Sequence, residues 1–378
     1  MPIIFIVTIL TFFVIYGPQP LLPLLAQIYG VSRPQAALLV TVVMVPLSMA
    51  PITYGYVLEA VPAMRLLRLS LLVLAVSTLA FGLAGAFGWL LGLRLVQGLL
   101  LPAVLTSLMT YLSAQAQGYR LQRLMSAYIA ATILGGYLGR LLSGVSATFF
   151  EWHVFFIVLG AALLAMVLLL RRAQADALIF GARPTPRQLL AALRVGPYLR
   201  VYAIIFCMFF VFAAMMNFIP FRLAELWGRP SELLTGLIYT GYLAGLLTAL
   251  GSGRIIDRLG GERRTLQLGI AVYLLVVPAT AFAGGWGLFG LLFVFCGAMF
   301  LVHATATGWL NRLATSSRGI INGVYLSAYY GGGVLGSYLP GLVYERFHWA
   351  AFVAVLTGVV GVALLLAVTG SASSPPAN

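Results

Sequence analysis

Apolar runs of about twenty residues, each closed by charged residues or by Gly and Pro, recur along the whole chain. That is the length a helix needs to cross roughly 30 Å of hydrocarbon at ~1.5 Å per residue. The pattern predicts twelve spans at about 3–25, 34–58, 65–85, 88–112, 121–148, 152–170, 199–224, 232–255, 265–285, 287–311, 319–343 and 348–369. The first run lacks a basic segment before it and a small-residue cleavage site after it, so a retained span is expected there. The longest connection, Arg171 to Arg200, divides the spans six and six. Within it Thr185-Pro186 suits a helix start, and Leu189, Leu190 and Leu193 share a face, as in a short helix on the membrane surface. The expected organisation is 1–170, a linker 171–198, 199–370 and a disordered tail 371–378.

Composition excludes a water-soluble fold: 62% of the 378 residues are hydrophobic and 8% charged, too few to cover such an apolar surface in water. The formal charge of +14 comes from Arg alone, since the chain has no Lys. With both termini inside, 16 of the 22 Arg residues fall on cytoplasmic connections. Only Arg33, Arg222, Arg229 and Arg346 fall outside, and Arg94 and Arg140 lie in the membrane. That asymmetry predicts the orientation by the positive-inside rule and assigns the basic charge to contact with lipid headgroups instead of nucleic acid. Cys207 and Cys296 sit in apolar segments at no metal-ligand spacing and read as small core residues.

An internal repeat accompanies the six-and-six division. Ser126-Ala127-Tyr128, Leu134-Gly135 and Tyr137-Leu138 return 201 residues later as Ser327-Ala328-Tyr329, Leu335-Gly336 and Tyr338-Leu339. Gly55 to Glu59, at the end of span 2, is answered by Gly253 to Asp257 at the end of span 8. An even number of crossings per half makes the halves parallel about an axis along the membrane normal. The expected fold is an all-α integral membrane protein, twelve helices in two pseudo-symmetric six-helix bundles.

Several motifs carry a family likeness. Gly253-Arg-Ile-Ile-Asp257-Arg258-Leu-Gly260-Gly261-Glu-Arg263-Arg264 resembles the loop signature of the major facilitator superfamily in its second-half copy, and Gly55 to Arg65 is a degraded first-half copy with Pro62 in place of the second Gly. Arg94-Leu-Val-Gln97-Gly98 is similar to the span-4 element of that family. Tyr16-Gly-Pro18-Gln19-Pro20 and the Gly135-Gly136-Tyr-Leu-Gly139-Arg140 run look most like its arabinose- and drug-efflux permeases, although Gly136 and Arg140 replace the Pro and last Gly of the exporter element. The resemblance implies a secondary carrier with alternating access and a charge latch at the loops. Gly55, Glu59, Gly253, Asp257, Arg258 and Arg264 are the latch candidates, with Gly253 allowing close helix approach and Asp257 facing a helix N-terminus.

Inside the membrane the sequence offers two cations and no acid in any span core. Arg94 falls about 9 Å below the outer end of span 4, with Arg140 at similar depth in span 5, and a buried guanidinium needs a partner. Helix carbonyls with Gln19 and Gln97 are one solution and an anionic solute is the other. His303, near the middle of span 10, is the candidate for proton coupling. The candidate substrate-binding residues are thus Gln19, Arg94, Gln97, Arg140, Asn217 and His303. The expected function is export of a small organic solute across a bacterial inner membrane, in exchange for a proton, by a monomer without metal or cofactor. Its rivals are an importer of a small organic anion and a non-transporting sensor on the same fold. A membrane enzyme would need clustered His, Asp or Glu near one interface, which the sequence lacks.

Overall fold

The computed structural model describes residues 2–114, 118–171, 190, 192–228, 230–314 and 318–369. Most of the expected linker helix, Thr185 to Leu189 included, and the tail 371–378 lie outside the described residues, as does Arg229. Helices account for the elements found there. Span 1 is Pro2–Tyr16 and Leu22–Tyr29, joined by a 3₁₀ turn Gln19–Leu21; spans 2 to 6 are Arg33–Ala60, Ala63–Gly82, Phe87–Ala114, Gly118–Phe149 and Trp152–Leu170. Span 7 is Gly196–Trp227, and span 8 is Glu232–Leu237 and Gly241–Leu259 about a second 3₁₀ turn, Ile238–Thr240. Spans 9 to 12 are Glu262–Ala279, Gly285–Leu313, Arg318–Gly336 and Leu339–Val368.

Two boundaries differ from expectation. Span 9 stops at Ala279 and not at 285, where the Thr280, Ala281 and Phe282 N–H groups turn to the Val277, Pro278 and Ala279 carbonyls three residues back. Span 11 ends at Gly336, and the next helix begins at Leu339 and is broken at His348, whose φ of 65° is non-helical. The apolar pattern runs on past Pro278, so hydropathy alone carries span 9 several residues too far, whereas the expected start of the last span at 348 coincides with the break at His348.

By contact the chain forms two compact units, Met1–Arg183 with Met216–Thr240, and Pro184–Met215 with Gly241–Asn378. Aromatic rings fill both. In the first unit Phe81 of span 3 meets Trp152 and Phe156 of span 6, the Phe81–Phe156 rings 4.6 Å apart. In the second, Phe295 of span 10 stacks on Tyr273 of span 9 at 4.4 Å and on Phe212 of span 7 at 5.6 Å. Outward-facing positions such as Leu247, Leu275 and Phe282 are exposed and apolar, as a lipid-facing surface requires.

The repeat seen in sequence is also a repeat of contacts. Gly135 of span 5 lies so close to span 1 that an added Cβ would stand 2.9 Å from the Ile9 carbonyl oxygen. Displace both members by 201 residues and the same contact reappears: a Cβ on Gly336 would run into the Phe210 carbonyl. These are backbone-to-backbone approaches that only glycine permits. Gly253 is the contrary case: it is exposed and a Cβ there would meet nothing within 4 Å, so the expected close approach is absent. The glycines that this loop needs for its conformation are Gly260 and Gly261, with φ of 74° and 126°. Gly135→Val should cost about 1–3 kcal/mol by overpacking, read as a lower thermal unfolding midpoint of the purified protein. Gly253→Val in the same assay should leave that midpoint unchanged.

Candidate functional site

The polar interior of the first unit starts at the break in span 1. Pro18 has no N–H to offer the Val14 carbonyl, so the helix Pro2–Tyr16 ends with backbone oxygens facing a dry interior. Arg94 of span 4 reaches them. Its Nη1 donates to the Val14 oxygen at 2.7 Å and to Gln97 Oε1 at 2.8 Å, Nη2 to the Ile15 oxygen at 2.8 Å, and Nε to the Leu39 oxygen of span 2 at 2.6 Å. Four of its five N–H groups are thereby engaged within its own chain. Gln97 is held in turn by Thr78 of span 3, its Nε2 donating to Oγ1 at 3.4 Å. Arg94 is 1% exposed, and the arrangement is a cross-link of spans 1, 2 and 4.

Arg140 lies in a different environment. Spans 1 and 8 are both interrupted by a 3₁₀ turn, and residues from both interruptions gather around its guanidinium. Nε donates to Gln19 Oε1 at 2.6 Å and Nη1 to the Gly136 carbonyl of its own helix at 2.6 Å. The ring of Tyr16 lies 4.0 Å from Cζ and that of Tyr239 4.8 Å away, contacts worth about 0.5–2 kcal/mol each. Gln19 passes the chain on, its Nε2 donating to Asn217 Oδ1 of span 7, and the Tyr239 hydroxyl donates to the Met216 carbonyl at 2.8 Å. Gln19, Arg140, Asn217 and Tyr239 are all buried. Glycines bring the helices this close: a Cβ on Gly236 of span 8 would stand 2.9 Å from the Arg140 carbonyl oxygen.

The second unit presents neutral groups. Along span 10, His303, Thr307 and Asn311 recur every fourth residue on one face, and Asn322, Tyr325 and Tyr329 share a face of span 11. The Tyr325 hydroxyl lies 2.9 Å from His303 Nδ1, and Asn322 Nδ2 donates to Asn311 Oδ1 at 2.7 Å. Tyr329 packs 4.8 Å from the His303 ring and stacks on Phe209 of span 7 at 3.6 Å.

At the loop between spans 8 and 9, Asp257 and Arg258 are exposed and make no ion pair with a described residue. The ties made there are a Glu262–Arg312 ion pair from span 9 to span 10, and Arg263 Nη2 donating to the Val368 carbonyl of span 12 at 2.8 Å. Arg264 Nη1 caps the Leu259 carbonyl at 3.5 Å. Gly55 and Glu59 lie on the last turns of the helix Arg33–Ala60, and their side chains are outside what is described.

Of the six interior candidates, the structure joins Gln19, Arg140 and Asn217 in one network and Arg94 with Gln97 in another. His303 stands apart, in the second unit. Tyr16, Tyr325 and Asn311 were absent from the sequence-derived set. The four-residue spacing from His303 to Asn311 would have revealed the last, whereas nothing local marks Tyr16 as the lid of an arginine. Arg94→Lys loses the fork that serves three carbonyls and should cost about 2–4 kcal/mol, measured as a depressed thermal midpoint. An unchanged midpoint with lost transport would instead make Arg94 a solute-binding group.

The sequence has known relatives. A model of the Major Facilitator Superfamily matches residues 4–228. The Inner membrane transport protein YnfM of Escherichia coli is 26% identical over 363 residues, covering 94% of this chain and 86% of that protein. The uncharacterized MFS-type transporter YybF of Bacillus subtilis is 25% identical over 376 residues, covering 94% and 89%. Among solved structures, that of the nucleoside transporter NupG superposes with a TM-score of 0.78 over 97% of this chain and 98% of that one. Its 14% identity makes this a likeness of fold. Twelve spans in two related halves, a matching family model and relatives that are transporters and not enzymes agree: the chain belongs to the major facilitator superfamily of membrane transporters.

Proposed function

We propose that this transporter is a secondary carrier that moves a small organic solute outward across the inner membrane by alternating access, and that the solute carries an anionic group answered by Arg140. The observation behind this reading is the position of Arg140 at the meeting of two interrupted spans, with Gln19, Asn217, Tyr16 and Tyr239 around it. Interrupted helices are where transporters of known mechanism coordinate solutes, since backbone groups there are released from the helix ladder. An ionisable side chain at such a place points to function. Arg94 and Gln97 have a supporting role in this reading, holding spans 1, 2 and 4 in register around the break. The outward direction rests on the likeness of the Tyr16–Pro23 and Gly135–Arg140 segments to efflux permeases, and the orientation with both termini inside rests on the arginine distribution.

Exchange for a proton fits His303, an ionisable side chain inside span 10 whose Nδ1 has a hydroxyl partner in Tyr325. Glu262, Arg263 and Arg264, with Asp257 and Arg258, would gate the loop end of the second unit.

A thermal-shift screen of the purified protein against carboxylates and their neutral amides should identify an anionic solute. In everted vesicles an acid-inside gradient should then drive its uptake. Arg140→Gln keeps amide donors for Gln19 and Gly136 and removes the charge. It should lower uptake at least about tenfold, the equivalent of ~1.4 kcal/mol, with protein yield retained. Uptake equal to that of the unmodified protein would sink the anion reading. His303→Gln should leave solute-induced stabilisation in place and abolish the response to the pH gradient; a preserved response would remove His303 from coupling.

A further inference from the structure

The second unit carries a groove of about 340 Å³ on the adjoining faces of spans 8, 9 and 10, lined by Ala244, Thr248, Leu268, Gly269, Gly297 and Leu301 among others. Its one hydroxyl, Thr248 Oγ1, is turned to the Gly245 and Gly297 carbonyls at 3.0 and 2.9 Å, so the lining offers apolar contact only. Leu268, Phe293 and Val294 at the groove are exposed, which places it on the lipid-facing surface.

The same three helix faces lead to arginines. On span 8 the stripe Ala244, Thr248, Gly251, Ile255 ends in Arg258; on span 9 Arg264 stands one turn before Leu268; on span 10 Arg312 lies three turns beyond Leu301. Arg258 and Arg264 are exposed, and with Arg254, Arg263 and Arg312 they outnumber Asp257 and Glu262. They stand roughly 6–17 Å along the helix axes from the nearest lining residues, a step from hydrocarbon into the headgroup layer, which is roughly 5–8 Å deep on each side. We propose that this groove seats one acyl chain of an anionic glycerophospholipid whose phosphate is held by Arg258 and Arg264. The groove by itself would not choose among lipids, because every tail is as apolar as its lining. The arginines supply the choice, by charge and by hydrogen bonds to phosphate oxygens.

Native mass spectrometry of the full chain in detergent tests this by titration with dioleoyl phosphatidylglycerol and, separately, with dioleoyl phosphatidylcholine and dioleoyl phosphatidylethanolamine. One phosphatidylglycerol should bind at least about tenfold more tightly than either zwitterionic lipid, the effect of ~1.4 kcal/mol. The paired substitution Arg258→Gln and Arg264→Gln, at exposed positions, should erase that preference. Ala244→Phe, which fills the groove and leaves the arginines in place, should reduce phosphatidylglycerol occupancy several-fold. Should Ala244→Phe fail to fold, Val294→Trp at the exposed rim obstructs the same groove and takes its place. Equal retention of the three lipids, a preference that survives loss of both arginines, or occupancy indifferent to the obstructing side chain would each overturn the assignment.

Discussion

A backbone carbonyl released by proline inside a membrane has no water to turn to, and the interior of the first unit is arranged around that constraint. Pro18 and Pro20 interrupt span 1 in the apolar interior, where an unsatisfied carbonyl costs several kcal/mol. Arg94 answers the Val14 and Ile15 oxygens and takes the Leu39 oxygen as well, so one guanidinium pins three helices. Its burial is compensated by four hydrogen bonds to neutral oxygens. This explains how a cation persists in a span with no acid nearby in sequence.

Once span 1 is interrupted and held, Gln19 is released from helical register and placed against Arg140. The 3₁₀ turn in span 8 brings Tyr239 to the same guanidinium, and Gly135, Gly144 and Gly236 let spans 1, 5 and 8 approach closely enough for these side chains to meet. Two arginines of equal burial therefore differ in kind. Arg94 is built into the scaffold, whereas Arg140 is ringed by amides and aromatic faces at a place where two spans are already unwound.

The second unit repeats the helix arrangement without repeating the chemistry. The Gly336–Phe210 approach copies Gly135–Ile9, yet the polar groups of spans 10 and 11 are an imidazole, amides and phenols. In the loop that resembles the family signature, the ties come from the C-terminal part of the motif. Glu262 and Arg263 make the contacts to spans 10 and 12, and Gly260 and Gly261 provide the turn, while Gly253 and Asp257 stand exposed.

Much of the fold was legible in the chain because lipid imposes one simple demand: about twenty apolar residues per crossing, with the backbone satisfied locally. Span number and the isolation of Arg94 and Arg140 follow from that demand acting on sequence, and the repeat at 201 residues is read directly from matching residues. Span ends at Pro278 and Gly336 did not follow, since hydropathy is indifferent to where a helix turns inside an apolar stretch. Nor did the roles of the two arginines. Whether a buried guanidinium meets carbonyls or a ring of side chains depends on which residues about 80 to 125 positions away share its depth and face. Only packing of the helices sets that: Val14 beside Arg94, and Tyr16, Gln19 and Tyr239 around Arg140.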